Sequence, residues 1–210
     1  MVEQAKGPIE AEPEMATPAK LAVEKISSLP EYVNEFKKIY GKSGVTFDNI
    51  ADAIANFERT LITPSRFDKF LEGDENALSK KEQEGLKLFI DKGCVACHSG
   101  VNLGGNMQPF QVANQYKFAS LGDFKGDENG LVKTPTLRNI AETAPYFHNG
   151  AIWSLNEAIR EMGSTQLGIS ISNKEAETIA VFLKSLTGEK PKVIYPQLPA
   201  STEKTPKPQL

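Results

Sequence analysis

Residues 92–100 read KGCVACHSG, and this stretch decides the fold because it contains the pentad C-x-x-C-H. Two thiols at this spacing can form thioether bonds to the two vinyl groups of one porphyrin, and the histidine that follows can bind the iron. Cys94 and Cys97 are therefore predicted to hold a covalent c-type haem, with His98 as the proximal iron ligand.

Two other kinds of site use a similar pair of cysteines. A thioredoxin-like redox pair needs a preceding strand and a surrounding sheet, and a structural zinc site needs four ligands. The chain has two cysteines and two histidines in all, and His148 alone cannot complete an ordinary zinc site. We therefore interpret the pentad as a haem attachment site.

Helical periodicity dominates the sequence around this pentad and predicts an all-α fold. Capping boxes of the form S-x-x-E predict three helix starts: Ser79 with Glu82, Ser154 with Glu157, and Ser172 with Glu175. Further starts are predicted at Thr17–Pro18, Pro30 and Asp48, with a short helix at Phe67–Leu71. No sheet of any size is indicated.

Three segments lack this periodicity. Residues 1–17 are predicted to be an extended arm, residues 99–150 a long loop region rich in glycine, and residues 191–210 an extended proline-rich tail, draped over the domain or disordered. The predicted division is thus an arm at 1–17, a haem domain at 18–190 and a tail at 191–210.

The composition limits the partners and the location. The 210 residues carry a net charge of −3, which gives no electrostatic reason to expect a nucleic-acid or anionic-membrane partner. No run of about 18 apolar residues is present, so no membrane span is predicted. The first ten residues, MVEQAKGPIE, do not resemble a secretory signal. Because c-type haem is attached after export, a periplasmic location is nevertheless expected.

The residues alone leave the distal iron ligand open. The candidates are His148, Met15, Met107 and Met162, or no protein ligand at all. Met162 follows Leu155 and Ile159 on one helical face, where a buried methionine of the core is an equally good interpretation. His148 has an equally plain alternative, as a loop histidine bonded to backbone or to a haem propionate.

Several longer stretches together resemble the bacterial di-haem cytochrome c peroxidase family. They are GLKLFIDKGCVACHSGVNLGG, TPTLRNIAETAPYFHNGAIWSLNEAI, AVFLKSLTGE and the upstream IADAIANFERTLITPSRFDKFLEGD. The resemblance covers nearly the whole chain and implies a class I cytochrome c-like helical haem domain. In that family, electrons from a small cytochrome c or copper protein pass through a C-terminal haem to an N-terminal peroxidatic haem, where hydrogen peroxide is reduced to water.

The resemblance implies roles for particular residues. His98 corresponds to the proximal ligand and Met162 to the distal ligand of the electron-transferring haem, while His148 lies near the haem without binding iron. The segment QAKGPIEAEPEM resembles the family segment that carries a catalytic glutamine and glutamate, here Gln4 and Glu14. Glu14 would move a proton between the peroxide oxygens and Gln4 would orient the peroxide, although both residues are equally consistent with solvated positions in an arm.

The family has two C-x-x-C-H motifs and this chain has one. We therefore expect that the N-terminal haem domain is absent except for its last few residues, that a second haem belongs to the full-length protein, and that this chain alone has negligible peroxidase activity. The family's calcium site maps to backbone oxygens of Thr143 and Pro145. We expect the affinity of this chain for calcium to be weakened or lost. A homodimer is implied. The alternatives are a stand-alone monohaem electron carrier, and a haem made catalytic by displacement of Met162.

Overall fold

The computed structural model describes residues 1–122 and 126–207 and divides the chain into two compact units. The first unit combines Met1–Ile62 with the segment from Lys190 onward, and the second is Thr63–Glu189. These units differ from the predicted division at residues 17 and 190. Residues 123–125 of the predicted loop region and 208–210 of the predicted tail lie outside the described residues.

Helices dominate both units, as the periodicity predicts. The first unit contains α1 (Val2–Glu10), α2 (Ala19–Ser27), α3 (Pro30–Tyr40) and α4 (Phe47–Glu58). The second contains α5 (Arg66–Leu71), α6 (Lys80–Asp91), α7 (Leu155–Leu167) and α8 (Asn173–Lys184). Short 3₁₀ turns span Gly41–Ser43, Cys94–Ala96 and Ile140–Glu142. Among the described residues, no helix is both long and apolar enough to cross a membrane.

The prediction of an extended arm at residues 1–17 is wrong, because Val2–Glu10 forms α1. Its Ala5 and Ile9, four residues apart, are 5% and 7% exposed, and α1 packs against α4. Lys6 Nζ lies 2.7 Å from Asp48 Oδ1 at the start of α4. Burial of one face therefore outweighs the helix-breaking tendency of Gly7 and Pro8.

The helix starts agree with the predictions in most cases. Pro30 occupies the first turn of α3, and complete capping boxes open α6 at Ser79 and α8 at Ser172. The predicted cap at Asp48 is wrong, because Thr46 caps α4 by accepting a hydrogen bond from the Asn49 N–H, at 3.1 Å. Ser154 caps α7 by accepting from the Glu157 N–H.

The predicted C-terminal tail has no helix or strand in its described part, and it is hydrogen-bonded within the first unit. Thr202 Oγ1 donates to the Ser28 carbonyl oxygen at 3.1 Å, and the Thr205 and Ser28 hydroxyls lie 2.8 Å apart. The tail is thus anchored to the end of α2 at these residues.

The core of the second unit forms where α6 and α8 pack closely. Gly85 of α6 faces α8 so closely that a Cβ there would lie 2.3 Å from the Thr178 carbonyl oxygen and 2.8 Å from Phe182 Cβ. Phe182 is fully buried, with Phe67 packed edge-on and Phe89 tilted against it. The spacing of Ile179, Phe182, Leu183 and Leu186 in the sequence predicts one apolar face, and all four are buried, the last of them just beyond the end of α8.

The long loop region of the second unit contains a small antiparallel ribbon. It consists of β1 (Met107–Pro109) and β2 (Leu131–Lys133), paired with Gln108 opposite Val132. Tyr116, Tyr146 and Ile152 form a second small core of this unit. The region therefore acquires its order from tertiary contacts, although its sequence has no periodicity.

Two arginine–carboxylate ion pairs join neighbouring segments of the second unit. Arg138 Nη2 and Nη1 lie 2.6 and 2.8 Å from the two carboxylate oxygens of Asp68, which also accepts the Ser65 N–H. Arg66 donates to both oxygens of Glu82. The hydrogen bonds from the arginines lower the pKa of Asp68 and that of Glu82 to about 2 each.

The Asp68 pair predicts an acid-sensitive contribution to stability. The folded-state pKa lies below the ordinary 3.8 of the carboxyl group, so this contribution is full above about pH 4 and is lost as the pH falls towards 2. Asp68→Asn is expected to lower the free energy of unfolding at pH 7 by on the order of 2 kcal/mol. Urea unfolding at several pH values measures this difference.

Asp91→Asn is the matched control, since Asp91 pairs with Lys87 on the exposed face of α6. That change should cost less than about 0.5 kcal/mol. An Asp68→Asn effect as small as the control's, or one undiminished near pH 2.5, would show that the pair does not stabilise the fold in this way.

Candidate haem site

The C-x-x-C-H pentad forms a tight turn directly after α6. Gly93 has a positive φ of 86° and precedes the 3₁₀ turn Cys94–Ala96. The Cys97 and His98 N–H groups then donate to the Cys94 carbonyl oxygen, at 3.4 and 3.0 Å. The structure therefore brings Cys94, Cys97 and His98 together in one turn, as the sequence predicts.

The imidazole of His98 is oriented by the loop that follows it. Its Nδ1 lies 3.2 Å from the Leu103 carbonyl oxygen. Because a carbonyl oxygen only accepts, Nδ1 carries the proton and Nε2 keeps its lone pair. Burial lowers the pKa of His98 despite the carbonyls of Leu103 and Pro135, which raise it. A neutral imidazole with a backbone-bonded Nδ1 is the form that binds a metal, so His98 fits a proximal haem ligand.

A close backbone contact holds this orienting loop in place. Leu103 has a positive φ of 48°, and a Cβ on Gly104 would lie 2.5 Å from the Pro135 carbonyl oxygen. The Gly105 N–H donates to the Thr134 carbonyl oxygen at 2.7 Å. The roles of Leu103 and Pro135 were not predicted. The glycine pair in NLGG, six and seven residues after His98, was the signal for them, because glycine permits such close approach.

The two thiols differ in environment. Cys94 packs against the main core of the second unit, and burial raises its pKa. Both cysteines are free rather than joined in a disulfide. Two reduced thiols in one turn, beside an apolar core, fit attachment to the edge of a porphyrin.

Met162 is placed better than the other candidates for the distal ligand. It is half-buried on α7, one turn after Ile159, which lies in the same core as Leu103 and the partly buried Cys94. Met107 and Met15 are 50% and 61% exposed, and Met15 belongs to the first unit. His148 is exposed, with Nε2 3.2 Å from the Leu121 carbonyl oxygen. Met162 therefore remains the predicted distal ligand.

The predicted catalytic pair lies in the first unit. Gln4 is on α1, and Glu14 is in the turn after it. Both side chains are exposed.

The predicted calcium position lies in an exposed loop of the second unit. Thr143 ends the 3₁₀ turn Ile140–Glu142, and the peptide bond between Ala144 and Pro145 is cis. Thr143 and Pro145 are exposed, while Tyr146 next to them is buried and pairs with Ile152. The two backbone carbonyls therefore lie beside an ordered bridge.

Comparisons with known proteins cover most of the chain. The family model described as di-haem cytochrome c peroxidase matches residues 1–76, and the one described as cytochrome c matches residues 82–187. Cytochrome c551 peroxidase of Pseudomonas aeruginosa is 45% identical over 98% of this chain and 63% of its own length. Cytochrome c551 peroxidase of Nitrosomonas europaea is 44% identical over 99% of this chain and 64% of its own length. The chain thus spans slightly less than two thirds of these curated relatives.

A solved structure shares the fold. A MauG-like protein associated with microbial copper homeostasis superimposes with a TM-score of 0.69, at 23% identity, over 90% of this chain and 69% of its own. The predicted helical, cytochrome c-like fold is confirmed. The expectation that the N-terminal domain is absent except for its last few residues is wrong, because the first family match begins at residue 1 and extends to residue 76.

Proposed function

Because the chain belongs to the di-haem cytochrome c peroxidase family, we propose that it acts in the reduction of hydrogen peroxide to water, as the unit that carries the electron-transferring c-type haem. Two electrons from reduced donor proteins and two protons convert one peroxide into two waters. The observation that carries this proposal is the neutral His98 ring, which is held by Leu103 beside two free thiols.

The second unit contains the residues that would hold the haem. Cys94 and Cys97 would form the thioether bonds, His98 Nε2 would bind the iron on one side and Met162 Sδ on the other. When bound, haem c supplies a one-electron iron couple. A thioether on the distal side excludes water and raises the potential, which suits electron transfer.

Gln4 and Glu14 are proposed to act on the peroxide. The Glu14 carboxylate would take a proton from one peroxide oxygen and return it to the other, and the Gln4 amide would orient the molecule by hydrogen bonds. The exposure of both side chains leaves them accessible to such a small substrate.

Other parts of the proposal concern the surroundings of the protein. A small cytochrome c or cupredoxin is the proposed electron donor, the periplasm the proposed location and a homodimer the proposed assembly. The carbonyl oxygens of Thr143 and Pro145 are proposed ligands of calcium, which prefers oxygen atoms. These two carbonyl oxygens would supply only a small part of the calcium coordination, and other groups would supply the rest.

A stand-alone monohaem electron carrier is the second candidate function. One observation favours it, namely that the 210 residues contain a single C-x-x-C-H pentad. The two functions differ in one property: a carrier exchanges electrons with a reduced cytochrome without consuming peroxide.

Steady-state oxidation of a reduced small cytochrome c, with and without peroxide, tests the proposal. We expect one covalent haem per chain and negligible peroxide-dependent oxidation by this chain alone, because the sequence contains a single C-x-x-C-H pentad. When a peroxidatic haem unit is supplied, peroxide-dependent oxidation should appear, and Glu14→Gln should lower its rate by about 100-fold because the proton relay is lost. Glu12→Gln, a change of charge at a neighbouring exposed residue, should have little effect. Electron exchange without peroxide consumption, even when a peroxidatic haem unit is supplied, would instead support the carrier, and equal rates in the two variants would remove Glu14 from the mechanism.

A further inference from the structure

Two buried polar atoms at the end of α7 have no hydrogen-bond partner among the described residues. They are Thr165 Oγ1 and Gln166 Nε2, and Thr165 is only 4% exposed. Nearly all buried polar groups in folded proteins are hydrogen-bonded, and an unpaired one costs about 1–3 kcal/mol. A group from outside the polypeptide is therefore the natural partner of these two atoms.

Both side chains lie one helical turn beyond Met162. Residues three and four positions apart are neighbours on a helix surface, so Thr165 and Gln166 continue the face formed by Ile159 and Met162. Ile159 packs in the core that Cys94 also contacts. The two unpaired atoms therefore lie one turn beyond the proposed iron ligand on α7, the helix whose Ile159 packs in the same core as Cys94.

A loop covers this end of α7 and fixes its backbone. The Ala113 N–H donates to the Thr165 carbonyl oxygen at 2.7 Å, and Asn114 Nδ2 donates to the Ser164 carbonyl oxygen at 3.1 Å. Buried threonines in helices often donate to the carbonyl of the preceding turn, but Thr165 Oγ1 makes no such bond here. Its hydroxyl is thus available to a different acceptor.

The chemistry of the two groups specifies the kind of partner. An amide nitrogen only donates, and a hydroxyl donates as well as accepts. Donors on adjacent residues match an acceptor with two oxygens, and the strong acceptors on the periphery of haem c are its propionate carboxylates. Resting on the proposed function, we propose that Thr165 and Gln166 donate hydrogen bonds to a haem propionate and thereby tune the potential of the iron.

The effect on potential follows from charge. Hydrogen bonds to the carboxylate disperse its negative charge, which otherwise favours the ferric over the ferrous state. Removing both donors should therefore shift the ferric-to-ferrous equilibrium about three- to tenfold towards ferric iron. A role in packing alone would not change the vibrations of the carboxylate.

The test compares Thr165→Val and Gln166→Leu, singly and together, in the holoprotein. The midpoint potential at pH 7 and the propionate bending band in resonance Raman spectra are measured. Thr165→Ser keeps the hydroxyl and should retain the wild-type values. Thr60→Val and Gln111→Leu make the same chemical changes at exposed residues and should leave both readouts unchanged.

The proposal is supported if the double variant lowers the potential and shifts the propionate band. It is overturned if both readouts stay at wild-type values, which would assign the two side chains to buried water, or if the potential moves while the band does not. Should the double variant not fold, the Thr165→Val and Thr165→Ser pair decides by the same criteria. A wild-type protein without covalent haem would contradict the proposed function instead.

Discussion

Met162→Ala is expected to open the distal side of the haem iron. Loss of the thioether should convert the ferric protein from low-spin to high-spin and lower its midpoint potential by on the order of 0.1 V, because the soft sulfur favours ferrous iron. The change can be followed by absorption spectroscopy and by a redox titration of the holoprotein. The same variant tests whether an open iron reacts with peroxide by itself.

Met107→Ala is the matched control for this experiment. Met107 lies on β1, in the same unit, but is half exposed. Its replacement should leave spin state and potential unchanged. A low-spin spectrum that survives in Met162→Ala, with folding intact by circular dichroism, would show that another side chain binds the iron. His148→Ala would then be the next variant to compare.

Gly85→Ala is expected to destabilise the protein, although a change from glycine to alanine in a helix is usually stabilising. In an open helix, alanine is more stable than glycine by about 0.5–1 kcal/mol. At Gly85 the new methyl group would lie 2.3 Å from the Thr178 carbonyl oxygen and 2.8 Å from Phe182 Cβ. Neither the backbone of α8 nor the base of a fully buried phenylalanine can move without disturbing the core. We expect a loss of about 3 kcal/mol in the free energy of unfolding.

Urea unfolding of the holoprotein measures this loss. Glu84→Ala is the control, since Glu84 precedes Gly85 on α6 but is exposed, and its effect should be within about 0.5 kcal/mol. A Gly85→Ala protein as stable as the wild type would mean that α6 and α8 are not in such close contact. The same variant should retain less haem if the C-x-x-C-H turn depends on the position of α6.

Short sequence motifs were sufficient to predict those features whose interactions join residues close together in the chain. The pentad predicted the cysteines and the histidine of one turn, and the structure places all three there. The capping boxes at Ser79 and Ser172 predicted helix starts because the bonds join residues three apart. The face of α8 could be read for the same reason, since its period of 3.6 residues is a property of the helix.

Predictions failed where distant segments compete with local preference. The lack of helical periodicity in residues 1–17 suggested an extended arm, but Ala5 and Ile9 are buried and α1 packs against α4, which stabilises it. The glycine pair in NLGG hints at a close backbone approach after His98, but the sequence does not show that the Leu103 carbonyl oxygen bonds the ring or that Pro135, 37 residues away, lies near it. Thr165 and Gln166 likewise look like ordinary polar residues until burial leaves them unpaired.

By itself, the sequence determined the haem motif and the helical class, and its resemblance to the family predicts Met162 as the distal ligand. Only the tertiary structure decided which ring nitrogen of His98 is available, that Gly85 is a packing residue, and that two buried polar atoms beyond Met162 find no hydrogen-bond partner in the part of the chain that the structure describes. The physical reason is the same in each case. Thioether attachment and helix capping depend on neighbours in the chain, whereas tautomer, close contact and burial depend on segments that folding brings together.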